Sequence, residues 1–190
     1  NYFKKTIMKK RKKPKNFNIF FIGRVADIKD PIFFLKNLID ISKLCKIKIH
    51  VVGNGPLLKK LKEISKKSDV SVKFHGFINK PFEKFHNKID IFCLTSKNDG
   101  TPNVLGEAIS KKIPCIAPKD VGCVNEILKH GGLGTVYQKR NSDDFKNKII
   151  YMINNYNKVS LKAEKAYKSL DRYSLENTLQ KLEKKILTFI

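Results

Sequence analysis

The residues best suited to chemistry lie in one short segment, 99–107, which reads Asp-Gly-Thr-Pro-Asn-Val-Leu-Gly-Glu. Thr101 is predicted to be the N-cap of a helix, with Pro102 at its first helical position. The backbone N–H groups of Asn103 and Val104 would then have no partner within the helix. A helix N-terminus with free N–H groups binds anions, phosphate groups in particular. The segment therefore predicts an anion site.

Two carboxylates flank this predicted anion site. Glu107 follows Asn103 by four residues, so it shares that helix face one turn further along. From there its carboxylate can accept two hydrogen bonds from a ribose diol. Asp99 precedes the helix and can turn into the same cavity. The alternative is that both acids only balance the helix dipole and cap, which suits Glu107 less well because it lies well inside the helix.

Two cations are predicted to face the same place from another loop. Arg24 follows Gly23 at the end of the first predicted strand, and Lys29 comes five residues later. An Arg fork and a Lys at the end of a strand, across from a helix N-terminus, form a clamp suited to a diphosphate. The alternative is that both are ordinary surface charges. Arg24 is one of few arginines in a chain that otherwise uses lysine, which favours a specific use of its fork.

The hydrophobic pattern predicts the strands and helices that would hold these loops in place. Short apolar runs typical of buried strands alternate with amphipathic stretches typical of helices. The strands are predicted at 19–23, 47–53, 70–75, 89–94, 113–117 and 134–137. The helices are predicted at 31–42 with Asp30 as N-cap, and at 57–64, 81–87, 102–111, 124–130, 142–154, 158–170 and 174–190.

This alternation predicts a doubly wound, Rossmann-like α/β fold, with a parallel sheet of about six strands and helices on both faces. Ligands of such sheets bind in the crevice at the carboxyl ends of the strands. The predicted anion site and the cationic pair both follow strands and would meet there. The turn at 53–56, Gly-Asn-Gly-Pro, is not the GxGxxG fingerprint, and no GxxxxGK[ST] loop occurs, so a dehydrogenase or P-loop enzyme is disfavoured.

Composition narrows the kinds of partner and cofactor that the sequence allows. The 190 residues carry a formal charge of +23, nearly all from lysine, and the lysines are predicted to spread over the helices rather than form one stripe. Ordinary solvated helix faces are therefore the favoured explanation of the charge, an anionic membrane surface is the next alternative, and nucleic acid is the least favoured partner. The four cysteines form no CxxC pair, so neither a disulfide framework nor a structural metal is expected. The histidines are assigned to strands and helix ends, although His75 ends a strand at the crevice.

Taken together, these motifs resemble the C-terminal, donor-binding domain of the retaining GT-B glycosyltransferases of family 4. The resemblance covers most of the chain, from about residue 17 to residue 172, and its six or more segments occur in the expected order. They are Gly23-Arg24 with Lys29, the turn 53–56, the segments 72–76, 89–91, 99–108 and 114–117, and Val121-Gly122-Cys123 with Glu126-Ile127.

The resemblance implies roles for these residues. Asp99 and Glu107 match the family's pair of acids separated by seven residues and would be the catalytic residues, with Glu107 on the ribose and the Asp99 loop on the transferred sugar. Arg24, Lys29 and the amides of Asn103 and Val104 would hold the diphosphate of a UDP-, GDP- or ADP-sugar, with no metal or other cofactor. The base and sugar would contact the loop residues Gly23, Gly76, Phe77, Ile78, Gly100, Thr101 and Pro102.

The resemblance also implies a larger parent enzyme. Residues 1–16 would be a basic interdomain linker or tail, 17–172 the nucleotide-sugar-binding domain, and 173–190 a crossover helix packing on a missing N-terminal acceptor domain. The parent would transfer a sugar to a hydroxyl acceptor with retention, in polysaccharide, lipopolysaccharide or glycolipid biosynthesis, while this fragment alone would be inactive. A cytoplasmic location is expected, and peripheral attachment to the inner face of the cytoplasmic membrane fits the charge.

Two alternatives stay open at the level of sequence. A nucleotide-sugar 2-epimerase shares the two-domain plan, although such enzymes usually carry more acids and histidines around the sugar. A non-catalytic basic module that binds RNA or anionic lipid would explain the charge without a donor site. Changing Arg24 and Glu107 separates these classes, because nucleotide binding depends on them and polyanion binding does not.

Overall fold

The computed structural model describes residues 11–173, 176, 177, 179, 180 and 183. Six strands and seven α-helices alternate along the chain as the hydrophobic pattern predicts. The strands are β1 Phe17–Ile22, β2 Ile47–Val52, β3 Val72–Phe74, β4 Ile91–Cys93, β5 Cys115–Pro118 and β6 Thr135–Tyr137. The helices are α1 Pro31–Ser42, α2 Leu58–Lys66, α3 Pro81–Phe85, α4 Asn103–Ser110, α5 Val124–Ile127, α6 Ser142–Asn154 and α7 Tyr156–Lys168.

All strand pairs are parallel, and the strand order is β3-β2-β1-β4-β5-β6. The order reverses direction between β1 and β4, so the loops after these two strands diverge and leave a crevice between them. The fold class predicted from sequence is confirmed, and the crevice opens between the two loops that carry the predicted cations and the predicted anion site.

Alternate residues of β1 point to the two faces of the sheet, and each face has its own core. Ile19 and Phe21 pack in a cluster with residues of α1, α2 and α6. Phe20 and Ile22 pack in the other with residues of α3, α4 and α5. Helix α7 contributes Tyr156 and Val159 to the first cluster and Ala166 to the second, so it passes from one face of the sheet to the other.

The start of α1 follows the predicted capping chemistry. Asp30 is the N-cap, its carboxylate accepts a hydrogen bond from Phe33 N at 3.3 Å, and Pro31 occupies the first helical position. The predicted helix at 124–130 is instead divided, because α5 ends at Ile127 and a 3₁₀ turn follows at Lys129–Gly131. Lys129 and His130 have positive φ angles, which the α-helix cannot accommodate.

Arg11, inside the segment predicted as a basic linker or tail, contacts the domain closely. Its guanidinium donates to the carbonyl oxygens of His86, Ile89 and Lys112 at 2.7–2.8 Å, and to Lys111 O at 3.3 Å. These carbonyls lie just after α3 and α4, where helices leave acceptors unpaired. Arg11 therefore caps two helices that are distant in sequence.

Of the predicted C-terminal helix at 174–190, residues 176, 177, 179, 180 and 183 are described and are helical, whereas Leu175, Leu182, Ile186 and Phe189 of its apolar stripe lie outside the described residues. Leu179 is the one member of that stripe that is described, and its side chain is exposed. Among the described residues, no helix is both long and apolar enough to cross a lipid bilayer.

Candidate donor site at the carboxyl ends of β1 and β4

A cavity of about 240 Å³ lies where the crevice is expected, at the carboxyl ends of β1 and β4. Its walls contain seven residues predicted from sequence: Gly23, Lys29, Asp99, Thr101, Pro102, Asn103 and Val104. Lys29 comes from the β1–α1 loop and the rest of the polar wall from the β4–α4 loop. The two loops whose chemistry appeared complementary in sequence therefore share one cavity.

The β1–α1 and β4–α4 loops are tied together by four contacts. Lys29 forms an ion pair with Asp99, and its carbonyl accepts a hydrogen bond from Thr95 Oγ1 at 2.9 Å. Lys97 N donates to Ile28 O at 2.8 Å, and Lys97 Nζ pairs with Asp27 Oδ1 at 2.6 Å. These contacts hold the two loops together, and the Lys29 ammonium is engaged with the Asp99 carboxylate.

Helix α4 begins one residue later than predicted. Pro102 is the N-cap, Asn103 is the first helical residue, and no side chain caps the helix, so the expectation that Thr101 would be the cap is wrong. Proline at the N-cap offers no side-chain oxygen, and Thr101 is exposed instead. The functional consequence is unchanged: within the described residues the N–H groups of Asn103 and Val104 have no acceptor, whereas Leu105 N donates to Pro102 O at 2.8 Å.

Glu107 lies on α4 outside the cavity wall. Its side chain is half-buried, and within the described residues its carboxylate has no hydrogen bond or ion pair. Burial raises the pKa of Glu107 above its ordinary value, since nothing nearby compensates the charged form. A half-buried carboxylate without a partner is poised to accept hydrogen bonds from a bound hydroxyl group.

Arg24 is exposed and lies outside the cavity wall. The loop after β3 also lies beyond this cavity. Gly76 O accepts a hydrogen bond from Gly53 N at 2.7 Å, Ile78 packs against the second core cluster, and Phe77 is 76% exposed. The structure therefore brings Lys29, Asp99 and the start of α4 together in the cavity wall. Arg24, Glu107 and the 76–78 loop are not part of that wall.

Two glycines of the 53–56 turn allow the β2–α2 loop to touch the β1–α1 loop. A Cβ on Gly53 would lie 1.9 Å from Gly23 O, and one on Gly55 would lie 2.3 Å from Val25 O. Both have positive φ angles as well, a conformation that favours glycine. The turn at 53–56 therefore packs directly against the β1–α1 loop, which carries Lys29.

Gly122 packs against the backbone of the loop that carries Asp99, a contact that sequence reasoning did not predict. It follows β5 with φ +48°, and a Cβ there would lie 2.0 Å from Asp99 O and 2.1 Å from Gly100 O. Cys123 N donates to Gly100 O at 3.2 Å. The available signal was its position, directly after a strand on the same edge of the sheet.

Ser96 is the second residue that was missed. It lines the cavity, is 1% exposed, and its hydroxyl has no hydrogen-bond partner among the described residues. A buried hydroxyl without a partner costs about 1–3 kcal/mol. Its place in the loop between β4 and Asp99 was the only sequence signal.

His75 contacts another histidine and is not in the cavity wall. His75 Nε2 lies 3.0 Å from His50 Nδ1, and His50 Nε2 lies 3.2 Å from Asn18 Oδ1. Asn18 in turn donates to Asp90 Oδ2 from both its backbone N and its Nδ2. Because Asn18 presents its oxygen to His50, His50 donates through Nε2, and when neutral it accepts from His75 at Nδ1.

Burial and positive neighbours lower the pKa of both rings, that of His50 to about 4. The pair is therefore neutral at neutral pH. Elsewhere, no group of three or more His, Cys, Asp or Glu side chains that could hold a metal occurs among the residues described.

The fold and crevice define a Rossmann-like domain of the kind that forms the C-terminal half of GT-B glycosyltransferases. A model of the glycosyl transferases group 1 family matches residues 3–169, and the chain belongs to that family. The family resemblance seen in the sequence motifs is confirmed.

Individual relatives agree. WbnH, an O-antigen biosynthesis glycosyltransferase of Escherichia coli, is 29% identical over 161 residues, which cover 85% of this chain and 44% of WbnH. The C-terminal domain of LpcC, a glycosyl transferase group 1 protein of Francisella tularensis, superposes with a TM-score of 0.74 at 24% identity, covering 85% of this chain and 88% of that domain.

A longer solved structure contains the same fold. Anabaena HepE in complex with UDP and glucose superposes with a TM-score of 0.76 at 20% identity, covering 92% of this chain and 49% of HepE. The chain therefore spans about half the length of HepE and less than half of WbnH.

Proposed function

We propose that this chain is the donor-binding domain of a glycosyltransferase that moves a sugar from a nucleotide diphosphate to a hydroxyl acceptor with retention. The observation that carries the proposal is the shared cavity, in which Lys29, Asp99 and the free N–H groups at the start of α4 converge. A cation and a helix N-terminus at one point suit a diphosphate. Family membership gives this chemistry its context.

Donor binding would exchange the partners of Lys29. In the structure Lys29 pairs with Asp99. The diphosphate would take the ammonium, together with the N–H groups of Asn103 and Val104, and Arg24 would close over it from the exposed rim. Asp99 would then be released to accept hydrogen bonds from hydroxyl groups of the transferred sugar.

During transfer the bond between the anomeric carbon and the β-phosphate oxygen breaks, that carbon bonds to the acceptor oxygen, and the acceptor's hydroxyl proton passes to the leaving diphosphate. Negative charge grows on the leaving diphosphate. Lys29, Arg24 and the α4 N-terminus would stabilise that charge without a metal ion, because preorganised donors act where the charge develops. The acceptor hydroxyl would come from the parent enzyme's other half.

Glu107 would hold the ribose of the donor. Its half-buried carboxylate lacks a partner among the described residues, and burial raises its pKa. A ribose diol would supply two hydrogen-bond donors and favour the charged form. The base would lie against the 76–78 loop, with the exposed Phe77 ring available for stacking.

The relatives suggest the biological setting. WbnH acts in O-antigen biosynthesis, and a lipopolysaccharide 1,6-galactosyltransferase of Escherichia coli is 26% identical over 150 residues. We extend this to the present chain as a part of an enzyme of polysaccharide, lipopolysaccharide or glycolipid assembly. HepE binds UDP and glucose, so a UDP-sugar is the first donor to test.

The test is calorimetric titration of the chain with UDP, GDP, ADP and their sugars, using Glu107→Gln and, as a matched control, the exposed Glu63→Gln. We expect one nucleotide to bind selectively. Glu107→Gln should weaken it 10- to 100-fold, since a charged acceptor contributes about 1.5–3 kcal/mol, without lowering stability. Equal, salt-sensitive binding of every polyanion, unchanged by Glu107→Gln, would reject the donor site in favour of a basic module.

A further inference from the structure

At the edge of the sheet opposite the candidate site, the loops carry a larger net positive charge than the loops at the site's own edge. We call this the amino edge, formed by the segments that lead into the six strands. They are 11–16, 43–46, 67–71, 86–90, 111–114 and 128–134. They contain eleven Lys or Arg residues and two Asp residues.

The segments that leave the strands carry less net charge. They are 23–30, 53–57, 75–80, 94–102, 119–123 and 138–141. They contain seven Lys or Arg residues and four Asp residues. Between these two sets of loops, the larger positive charge therefore lies at the edge of the sheet that does not face the proposed nucleotide.

The amino edge also carries an exposed aliphatic side chain. Leu44, in the turn between α1 and β2, is 75% exposed. Beside it a groove of about 550 Å³ opens between this turn and the loop that leads into β3. Lys43, Lys46 and Lys67 line that groove with a single carboxylate, Asp69. An aliphatic tip surrounded by lysines is the pattern of a surface that rests on lipid headgroups.

We propose that the amino edge, centred on Leu44, Lys46 and Lys67, docks on an anionic membrane surface. Lysine side chains reach headgroup phosphates while their alkyl stems lie along the apolar boundary. Leu44 enters that boundary. This surface is separate from the donor cavity, so the proposal goes beyond the proposed function and stands or fails independently of it.

Nucleic acid and a second copy of this chain fit the amino edge less well than an anionic membrane does. Single-stranded nucleic acid is bound by aromatic platforms and arginine forks, but the exposed residue here is aliphatic, and the guanidinium of Arg11 is bound to backbone carbonyls. A second copy of the chain would bring like charges together. An anionic bilayer satisfies both the lysines and Leu44.

The test measures binding of the whole chain to vesicles of phosphatidylglycerol mixed with phosphatidylcholine, and to vesicles of phosphatidylcholine alone. We expect binding to the anionic vesicles only. Lys46→Gln with Lys67→Gln should weaken it roughly 30-fold, at about fivefold for each lysine near the surface. Leu44→Ser should weaken it about tenfold through lost apolar contact.

Matched controls remove the same charge or apolar area elsewhere. Lys119→Gln with Lys139→Gln lies at the opposite edge, and Ile28→Ser removes a partly exposed aliphatic side chain at that same opposite edge; both should bind vesicles as the unaltered chain does. Equal losses in these controls would overturn the proposal, as would equal binding to neutral vesicles. So would a loss of RNA oligonucleotide binding in the Lys46/Lys67 variant with vesicle binding intact.

Discussion

Gly122 offers the sharpest test of how the loops are assembled. In the variant Gly122→Ala the new Cβ would lie 2.0 Å from Asp99 O, whereas ordinary contact begins at 3.4 Å. The β5–α5 and β4–α4 loops would have to separate by about 1.4 Å. Alanine would also have to adopt φ +48°, which costs an L-residue about 1–2 kcal/mol.

The loss of stability follows from these terms. Separating the loops stretches the hydrogen bond from Cys123 N to Gly100 O, worth about 0.5–1.5 kcal/mol. Together with the backbone strain we expect a destabilisation of about 1.5–3.5 kcal/mol. For a domain of this size that lowers Tm by roughly 3–14 °C. Donor binding should weaken as well, because the loop that carries Asp99 is displaced.

The matched control is an alanine substitution in the loop that Gly122 contacts. Gly100→Ala adds the same methyl group to the loop that Gly122 touches, but no atom lies within 4 Å of the new Cβ, so its free energy of unfolding should change by no more than about 0.5 kcal/mol. Thermal unfolding of the three proteins, followed by circular dichroism, measures the difference. A Gly122→Ala midpoint equal to that of Gly100→Ala would refute the close approach on which the reasoning rests.

Three further predictions use other contacts. Arg11→Met should lower the free energy of unfolding by about 2–4 kcal/mol in urea, because the carbonyls it caps lose charged donors, whereas the exposed Lys12→Met should change little. His50 has a folded-state pKa of about 4 against about 6.5 in the unfolded chain. As the pH is lowered from about 6.5 towards 4, the unfolded chain takes up the proton first, so the free energy of unfolding decreases. The variant His50→Gln should lose this pH-dependent decrease, and an unchanged pH slope would contradict the burial of the ring. Phe77→Ala should leave Tm unchanged, since the ring is 76% exposed, and should weaken nucleotide binding about tenfold if the base stacks there; the assay is calorimetry, with Tyr151→Ala as the control.

Sequence reasoning named several residues that the structure places in one cavity wall. Gly23, Lys29 and Asp99 were selected because they follow strands, and the loops of parallel strands meet at one edge. The anion site at Asn103 depended on the same rule together with helix-terminus chemistry. Its cap was misassigned, because a Thr-Pro pair at a helix start does not reveal which residue takes the first helical angles.

Other parts of the site could not be found this way. Sequence reasoning assigned Lys29 and Asp99 to separate substrate contacts, but the structure shows them as an ion pair with each other. Ser96 was overlooked because a serine in a loop carries no sign of burial. Gly122 has a loop position like that of many glycines, and only the proximity of the Asp99 carbonyl distinguishes it.

The amino-acid sequence by itself determined the class of fold and the edge of the sheet where the site lies. Those properties follow from local periodicity, capping at Asp30 and the order of strands and helices, all of which are written in neighbouring residues. The tertiary structure alone decided the pairing of Lys29 with Asp99, the capping of two helices by Arg11 and the larger net positive charge of the loops at the amino edge. These depend on residues that lie far apart in the chain, 70 positions for Lys29 and Asp99 and 75 to 101 for Arg11. Only chain folding brings such residues within hydrogen-bonding distance.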